Sequence, residues 1–571
     1  MASNVISPGV YRRIIDLSTF VDSVPSTIAF ICFLSEKGED NVLKFVSSQE
    51  ELITKNGQPN INRYGQGLYN ADQFLQRSQS LYYVRVTAPD ACFANVFVTL
   101  ANSVDDKFTT TSHADVETVS ELETILASTT GDPNFIAFYG VGRGTYYNTT
   151  AVTLTPSSSL AGLDTYVIDI WEEDLTGDMV IIESFVGSLN PDQQYNGRSI
   201  YIEDIVNTYS NILNCRVNVA NMTEYLSFKA FADAGNPAGY TGPITFWYTV
   251  GPPVQYTKIS DPFSAYILLA GGFDSDMYNV DGTVNWVAAE QYLAQAYLGD
   301  LPYYDPSVGD TDRTFFTVVF DADYPDGVKD SIKALCETRE DCVAIMDNGF
   351  HTGPNGIQAA IDDAEGGGVH DFNSWYVALY ENHTLVYDRY TGRRIWLSPS
   401  YWMSAIIPTN DRVAEPWFAA AGYNRAALSG IKEGALYPTK GDRDRFYEIQ
   451  LNPIALLKPG WVVWGQQTKW DKPSALRDLN IVRLLLYIDA ALKQFALFYI
   501  FEQNDYFTWS SFQDRVITFL EDIVARRGLF SYQVKVFATE YELQTNSFHA
   551  DIWLKAIPTV EKIFLNYTIT K

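Results

Sequence analysis

The chain has 571 residues, enough for three to four domains at roughly 150 residues each, and its 46% apolar and 19% charged content excludes wholesale disorder. Lys and Arg number 40 against 69 Asp and Glu, a formal net charge of −29 that repels phosphate backbones and argues against nucleic-acid binding. No apolar run reaches the roughly 18 residues of a membrane span, and MASNVISPGVYRR lacks an apolar signal core, so neither membrane insertion nor secretion is expected.

The charge is uneven. Residues 421–571 hold 18 basic and 16 acidic side chains, a net of +2, which leaves −31 for residues 1–420. Such asymmetry points to different neighbours for the two regions. Five scattered cysteines, Cys32, Cys92, Cys215, Cys336 and Cys342, include no CxxC and suit a reducing cytoplasm better than a disulfide framework or a zinc site.

In chain order, Ser7-Pro8-Gly9 blocks a helix and Val10 to Leu17 is β-prone, so residues 1–20 read as an extended arm. STIAFICFL (26–34) reads as a fully buried strand. LKFVSS is a strand followed by the short helix SQEELITKNG, with Ser48 and Glu51 at capping-box spacing and Gly57 past its end. Tyr69 to Gln76 reads as helix and Leu81 to Val86 as strand, which together suggest an open α/β sheet. From 98 to 254, Thr, Ser, Asn and Gly rise and alternating runs separated by turns predict a β-rich insertion. The α/β texture returns over 264–420 in SAYILLAGG, FFTVVF, VKDSIKALCETR, CVAIMD and SWYVALY.

Towards the end, Ile481, Leu484, Leu485, Ile488, Leu492 and Phe495 mark one helix face. A second helix is expected to start at a Ser510/Gln513 capping box and stop at Arg526, Arg527 and Gly528. Two alternating strands follow, at Tyr532-Val534-Val536 and Phe548-Ala550-Ile552-Leu554. After Pro558 comes a last alternating run, Ile563-Leu565-Tyr567-Ile569.

No catalytic set can be assembled. The five histidines, His113, His351, His370, His383 and His549, form no HExxH and read as surface or core residues. GVGRGT (140–145) lacks the GK[ST] ending of a phosphate loop and reads as a turn between strands. Asp274, Asp276, Asp281 and Asp321, Asp323, Asp326 are two acidic clusters. An EF-hand starting at Asp321 would need Gly at 326 and Glu at 332, where the chain has Asp326 and Ile332. These carboxylates are read as solvated loop residues. No catalytic residue, cofactor or metal site is expected.

The order of segments resembles the contractile tail sheath proteins of bacteriophages, a family sharing its fold with other contractile injection systems. The resemblance is carried by SPGVYRRIID, STIAFICFLSEKG and SLYYVRV, by YVALYENHTLVYDRYTGRRIWLSPSYWMSAIIPTND (376–411) and AAAGYNRAALSGI (419–431), and by WVVWGQQTKW (461–470), NIVRLLLYID (480–489) and FEQNDYFTW (501–509). FYGVGRGTYYN (138–148) resembles a turn of the family's β-rich middle. ENHTLV departs from the Pro-Trp pair of many relatives.

The resemblance implies a mixed α/β (α+β) multidomain chain with the tail-sheath fold. Its parts would be an N-terminal strand-donating arm over 1–20 and an α/β middle domain over 21–97 plus 255–420. A β-rich outer insertion would span 98–254, a C-terminal α/β core domain 421–557 and a C-terminal arm 558–571. It also implies a non-enzymatic subunit of a helical homopolymer of stacked hexameric rings, contracting around a tail tube between baseplate and tail terminator proteins. That places it in the virion tail after assembly in the host cytoplasm. Strand exchange between subunits would use Val10, Tyr11, Arg12, Arg13, Ile14 and Ile15 at one end and Ile563, Leu565, Tyr567 and Ile569 at the other. Arg526 and Arg527 would face the tube, unless they only complement the end of their helix. The alternative is a tail-fibre or receptor-binding adhesion protein, since Tyr-rich acidic β insertions suit adhesion.

Overall fold

The computed structural model describes residues 27–100, 108–128, 134–157, 165–173, 177–188, 191–218 and 267–564. Its organising element is a nine-stranded sheet. Ala29–Phe33, buried at all five positions, pairs in parallel with Leu81–Arg85 on one side and Val318–Phe320 on the other. Val343–Asp347, Val377–Glu381 and Leu451–Leu457 continue the parallel set. Antiparallel strands close the edges: Lys44–Val46 beside Leu81–Arg85, and Gly460–Val463 with Ala427–Leu428 beyond Leu451–Leu457. Strands covered on both faces need apolar side chains at every position, which is why FICF, VVF, VAIM and VALY are continuous rather than alternating runs.

Numbered along the chain, the parallel strands stand in the spatial order 2-1-3-4-5-6. The winding reverses at Ala29–Phe33, as in doubly wound sheets. Two pairs of helices, Gly67–Leu75 with Pro399–Val413 and Trp286–Leu298 with Asp326–Arg339, pack on the sheet and on each other. Ser48 caps Gln49–Asn56 by accepting from the Glu51 N–H, and Gly57 ends that helix at φ +84°. The sheet also crosses the expected division at residue 421, because Leu451–Leu457 and Gly460–Val463 belong to it.

Two four-stranded antiparallel sheets form the insertion. One runs Leu213–Val217, Asn134–Gly140, Asn95–Leu100, Phe108–Thr111; the other Ile267–Leu268, Thr150–Ser157, Thr165–Glu173, Met179–Gly187. Val96, Ile136, Phe138, Tyr147, Ile168 and Ile170 meet between them, joined by Ile202 and Val206 of the helix Ile202–Tyr209. Strand pairing thus begins before residue 98 and resumes beyond 254. The two stems of the insertion bond to each other: Cys92 and Phe273 exchange N–H···O bonds of 2.9 and 3.2 Å, as do Asn95 and Ala270.

A third cluster lies at the C-terminal end. The helix Leu479–Leu497 carries two stripes. Leu479, Val482 and Leu486 pack into the core of the large sheet, whereas Leu484, Ile488, Ala491 and Phe495 face the helix Tyr506–Ala525 and the two-stranded ribbon Leu529–Phe537/His549–Ala556. Tyr506–Ala525 starts four residues before the expected Ser510 cap. Asp505 accepts from the Thr508 N–H at 3.0 Å and nucleates the turn upstream. Gln513, expected in that cap, instead accepts from the Val536 N–H at 3.2 Å and ties helix to ribbon. The left-handed residue after the helix is Arg527 (φ +65°). Gly528 is required for another reason, since a Cβ there would lie 2.6 Å from the Ile523 side chain and 3.2 Å from Trp417. Among the described residues no helix is long and apolar enough to cross a membrane.

Candidate assembly interface

The C-terminal ribbon is a two-stranded sheet with one face packed on helices and the other exposed. Its inner face, Tyr532, Val534 and Val536 with Ala550, Ile552 and Leu554, packs on the C-terminal helices. Its outer face shows Phe530, Gln533, Lys535, Trp553 and Lys555. The strands are nine and eight residues long, and among the described residues neither outer edge has a partner. A two-stranded ribbon has two such edges, each a row of backbone donors and acceptors at strand spacing.

The described segment begins at a residue tied, through Asp411, to the helix Leu479–Leu497, and ends just past the ribbon. Thr27, the first described residue, donates its hydroxyl to Asp411, whose carboxylate is also gripped by both terminal nitrogens of Arg483. Arg483 sits on the helix Leu479–Leu497, and both members of the pair are buried. At the other end the Ile557 N–H bonds to the Gly528 carbonyl at 3.2 Å. Gln466 donates to Thr559 at 2.9 Å and Tyr447 to Glu561 at 2.6 Å, with Lys562 over the Tyr447 ring. Val560, between these anchors, is 81% exposed, and Ile563 and Phe564, past them, are 77 and 84% exposed. Ile563 is outside any strand; Val10, Tyr11, Arg12, Arg13, Ile14, Ile15, Leu565, Tyr567 and Ile569 lie outside the described residues.

Arg526 and Arg527 differ in their surroundings. The Arg526 guanidinium forms a two-pronged pair with Glu415 (2.6 and 3.1 Å), a contact with Asp522 at 3.1 Å, and a stack over Trp417. It clamps the loop at 415–417 to the helix end. Arg527 is exposed and lies 6.0 Å from the Phe418 ring.

The turn at 140–145 is structural. Arg143 points back into the large-sheet unit, donating to Asp40 (2.6 Å), the Pro89 carbonyl (2.9 Å) and Thr87 (3.1 Å), and its own carbonyl accepts from Arg85. Burial pushes the Asp40 carboxyl up, but Arg143, Arg85 and the Arg143 N–H outweigh it and hold Asp40 below the usual range. Arg143 is thus a peg that docks the insertion.

In doubly wound sheets ligands bind where the winding reverses, beyond the carboxyl ends of the strands. Here that crevice is filled. Tyr324 donates to the Cys32 carbonyl at 2.7 Å, and a Cβ on Gly67 would come within 2.2 Å of the Tyr324 hydroxyl and 2.6 Å of Phe33.

One sequence expectation is corrected beside it. Asp321 is no solvated loop residue: it is fully buried and ion-paired with Lys329, which also reaches Asp347 at 3.1 Å. Burial and the neighbouring Asp347 carboxylate push Asp321 up, to about 8, against the pull of Lys329. Burial also acts on Asp347, but Lys329 and His383 hold it low. Asp326 meets His370 at 3.0 Å, and His351 sits between Glu381 and Asp363. Residues placed immediately after wholly apolar runs, as in VVF-D-A-D, VAIM-D-N and ALYEN-H, emerge together at one sheet end. Asp274, Asp276 and Asp281 form no such cluster; Asp274 binds Thr145, Asp276 meets Tyr292 and Asp281 turns onto Thr283.

The architecture is therefore a doubly wound core with its crevice filled, carrying a docked β insertion and a C-terminal helix–ribbon unit whose outer edges are unpaired among the described residues. Residues 471–570 match the phage tail sheath C-terminal domain family. The tail sheath protein of Vibrio phage KVP40 is 24% identical over 398 residues, 68% of this chain but 53% of that protein, so the match spans about half the relative's length. Among solved structures, the sheath tail protein Lin1278 of Listeria innocua gives a TM-score of 0.53 at 9% identity, covering 94% of this chain and 93% of that one. The sheath tail protein of Desulfitobacterium hafniense gives 0.50 at 10% identity, over 98 and 99%. These structures establish the fold: a mixed α/β multidomain sheath architecture. The chain is similar to the tail sheath proteins of bacteriophages.

Proposed function

We propose that this chain is the structural subunit of a contractile phage tail sheath, polymerising helically around a tail tube and shortening to drive the tube through the host envelope. The observation that supports this reading is the C-terminal ribbon, whose outer edges have no partner among the described residues and from whose second strand the chain runs on towards its C-terminal arm. An open edge is a template for a strand from another chain, and strand addition combines backbone hydrogen bonds with side-chain pockets. Arms leaving one subunit and pairing on another make a head-to-tail contact, and head-to-tail contacts that do not close generate helices. On this reading residues 10–15 and 563–569 would take up strand pairing only on a neighbouring subunit. Strands paired through extended arms let subunits rotate and slide while remaining linked.

The near-neutral C-terminal region forms the inner layer against the tube, and the acidic remainder, with the insertion outermost, forms the coat. Arg527 is the tube-facing cation of its pair, because Arg526 is already engaged by Glu415. Baseplate and terminator proteins cap the polymer in the virion tail, which is built in the host cytoplasm. The role is mechanical rather than catalytic. The adhesion alternative loses ground because the matched relative is a tail sheath protein.

Negative-stain microscopy of the purified full chain tests this. Striated hollow tubes are expected, and a variant lacking residues 1–20 is expected to stay monomeric with an unchanged melting temperature. Tubes formed by the truncated chain would overturn strand exchange. In sheath assembled on tubes, Arg527→Glu is expected to lower the salt concentration at which sheath releases; unchanged release would remove Arg527 from the contact.

A further inference from the structure

The connection between the helices Leu479–Leu497 and Tyr506–Ala525 breaks the usual sorting of apolar side chains. Leu497, Phe498, Ile500, Phe501, Tyr506 and Phe507 are between 55 and 101% exposed. A large aromatic side chain offers roughly 150–250 Å2, so these six present on the order of 800 Å2. The largest apolar patch of a monomer measures about 300–600 Å2. One side of a stable protein–protein interface measures about 800 Å2.

The connection is held in place. Asn504 accepts from the Trp509 indole at 2.7 Å and donates to the Ser547 carbonyl at 3.0 Å, which ties it to the turn of the ribbon. The Arg515 guanidinium lies over the Phe498 ring. Phe501 sits at φ +72°, a left-handed conformation that is costly for a bulky aromatic residue. The chain thus accepts backbone strain to hold a fully exposed phenyl ring in water, and no contact among the described residues offsets either cost.

A complementary surface lies on the outer face of the ribbon. Phe530 and Trp553 are exposed there, and Lys535 and Lys555 lie over the Phe537 and Phe530 rings at 4.3 and 4.8 Å. Among the described residues neither lysine has an ion-pair partner; Asp551, opposite Lys535, is the one acid among the strand positions of this face. The connection carries the opposite sign. Glu502 is exposed and unpaired among the described residues, and Asp505 spends one carboxylate oxygen on its helix cap. The helices pack on the inner face, so a chain cannot lay its own connection on its own outer face. Strands added at the ribbon edges would lie beside this face and leave it uncovered.

We propose that the connection 497–507 of one chain docks on the outer ribbon face of a second copy, with Phe501 and Phe507 against Phe530 and Trp553 and Glu502 towards the lysines. Two different surfaces of one chain meet, so the contact is heterologous and repeats along a helical polymer. The inference rests on the sheath reading in that it gives the same polymer a contact besides strand exchange.

Cross-linking tests it, because Cys32, Cys92, Cys215, Cys336 and Cys342 are all buried and leave the native surface free of thiols. Full-length Phe501→Cys and Trp553→Cys chains, mixed and treated with a short bismaleimide, are expected to give at least tenfold more cross-linked dimer than either chain alone. The double variant Phe501→Ser/Phe507→Ser is expected to keep the wild-type melting temperature and to self-associate at least tenfold more weakly in sedimentation. The absence of a mixed dimer, or equal cross-linking of Phe501→Cys chains with one another, would overturn the proposal. So would unchanged self-association of the double serine variant; if that variant loses only its hold on tail tubes, the patch belongs to the tube. Mixed dimers from chains that never form striated tubes would keep this contact and refute the sheath reading. Striated tubes formed normally by the serine variant would do the reverse.

Discussion

His351 shows how a single buried side chain makes stability depend on pH. Its two ring nitrogens face Glu381 at 3.1 Å and Asp363 at 2.9 Å, from the strand Val377–Glu381 and the helix Gly356–Ala364. Burial alone favours the neutral ring, but the two carboxylates outweigh it and raise the group from 6.5 to about 9. A group whose pKa rises on folding binds its proton more tightly in the folded state. Its contribution is therefore complete below about pH 6.5 and is lost as pH climbs through 9. The expected result is an unfolding free energy, from urea titration, that falls between pH 6.5 and 9 by about 1–3 kcal/mol attributable to this group. His351→Gln should flatten that slope, and an unchanged slope would assign it to other groups. Nothing in the sequence around FHTG distinguishes His351 from a surface histidine, because its carboxylate partners lie 12 and 30 positions away and are brought in by the fold.

At the scale of elements, the central strands of the large sheet were readable, though Leu451–Leu457 and the edge strands Gly460–Val463 and Ala427–Leu428 were not, because a parallel strand covered on both faces leaves a short, unbroken apolar run bounded by polar residues. AFICF, VVF, VAIMD and VALYE all take that form. The spatial order of the strands was not readable, since it depends on crossovers longer than any sequence window. The start of the helix Tyr506–Ala525 shows a different failure. Ser510 and Gln513 have capping-box spacing, but Asp505 lies upstream with extended φ/ψ of −134° and 172° and takes the cap first. Asp505→Ala is therefore expected to cost about 1 kcal/mol in chemical denaturation, and Ser510→Ala, inside the helix, close to nothing. The opposite ranking would restore the sequence reading. Arg526 was legible as a helix-end cation, whereas its clamp on Glu415 spans 111 positions and was not.

For the whole molecule, the −29 net charge resolves into separable bodies. Only two connections join the insertion to the large sheet, and their paired backbones at Cys92 and Phe273 exchange both hydrogen bonds. Residues in such a pair stand about 5.5 Å apart, the geometry a two-residue Asn-Gly hairpin closes. Replacing residues 93–272 with Asn-Gly should therefore leave the large sheet and the C-terminal unit intact. What the deletion removes is the peg: Arg143 leaves Asp40, and the Tyr147 hydroxyl leaves the Gly38 N–H. Asp40 keeps the Thr87 hydroxyl and has Arg85 at 4.0 Å, and water reaches it once the insertion is gone. The loss is therefore about 1–2 kcal/mol rather than the larger penalty of an orphaned buried charge. Asp40→Asn, harmful in the full chain because it deprives Arg143 of its partner, is expected to be neutral or stabilising in the shortened one. Calorimetry of the four proteins measures this coupling, and simple additivity would refute the peg. On the proposed sheath reading, in which the terminal arms link subunits and the insertion lies outermost, the shortened chain should still form tubes, narrower than those of the full chain. A folded, monomeric product would instead mean that the insertion carries subunit contacts and is more than a coat.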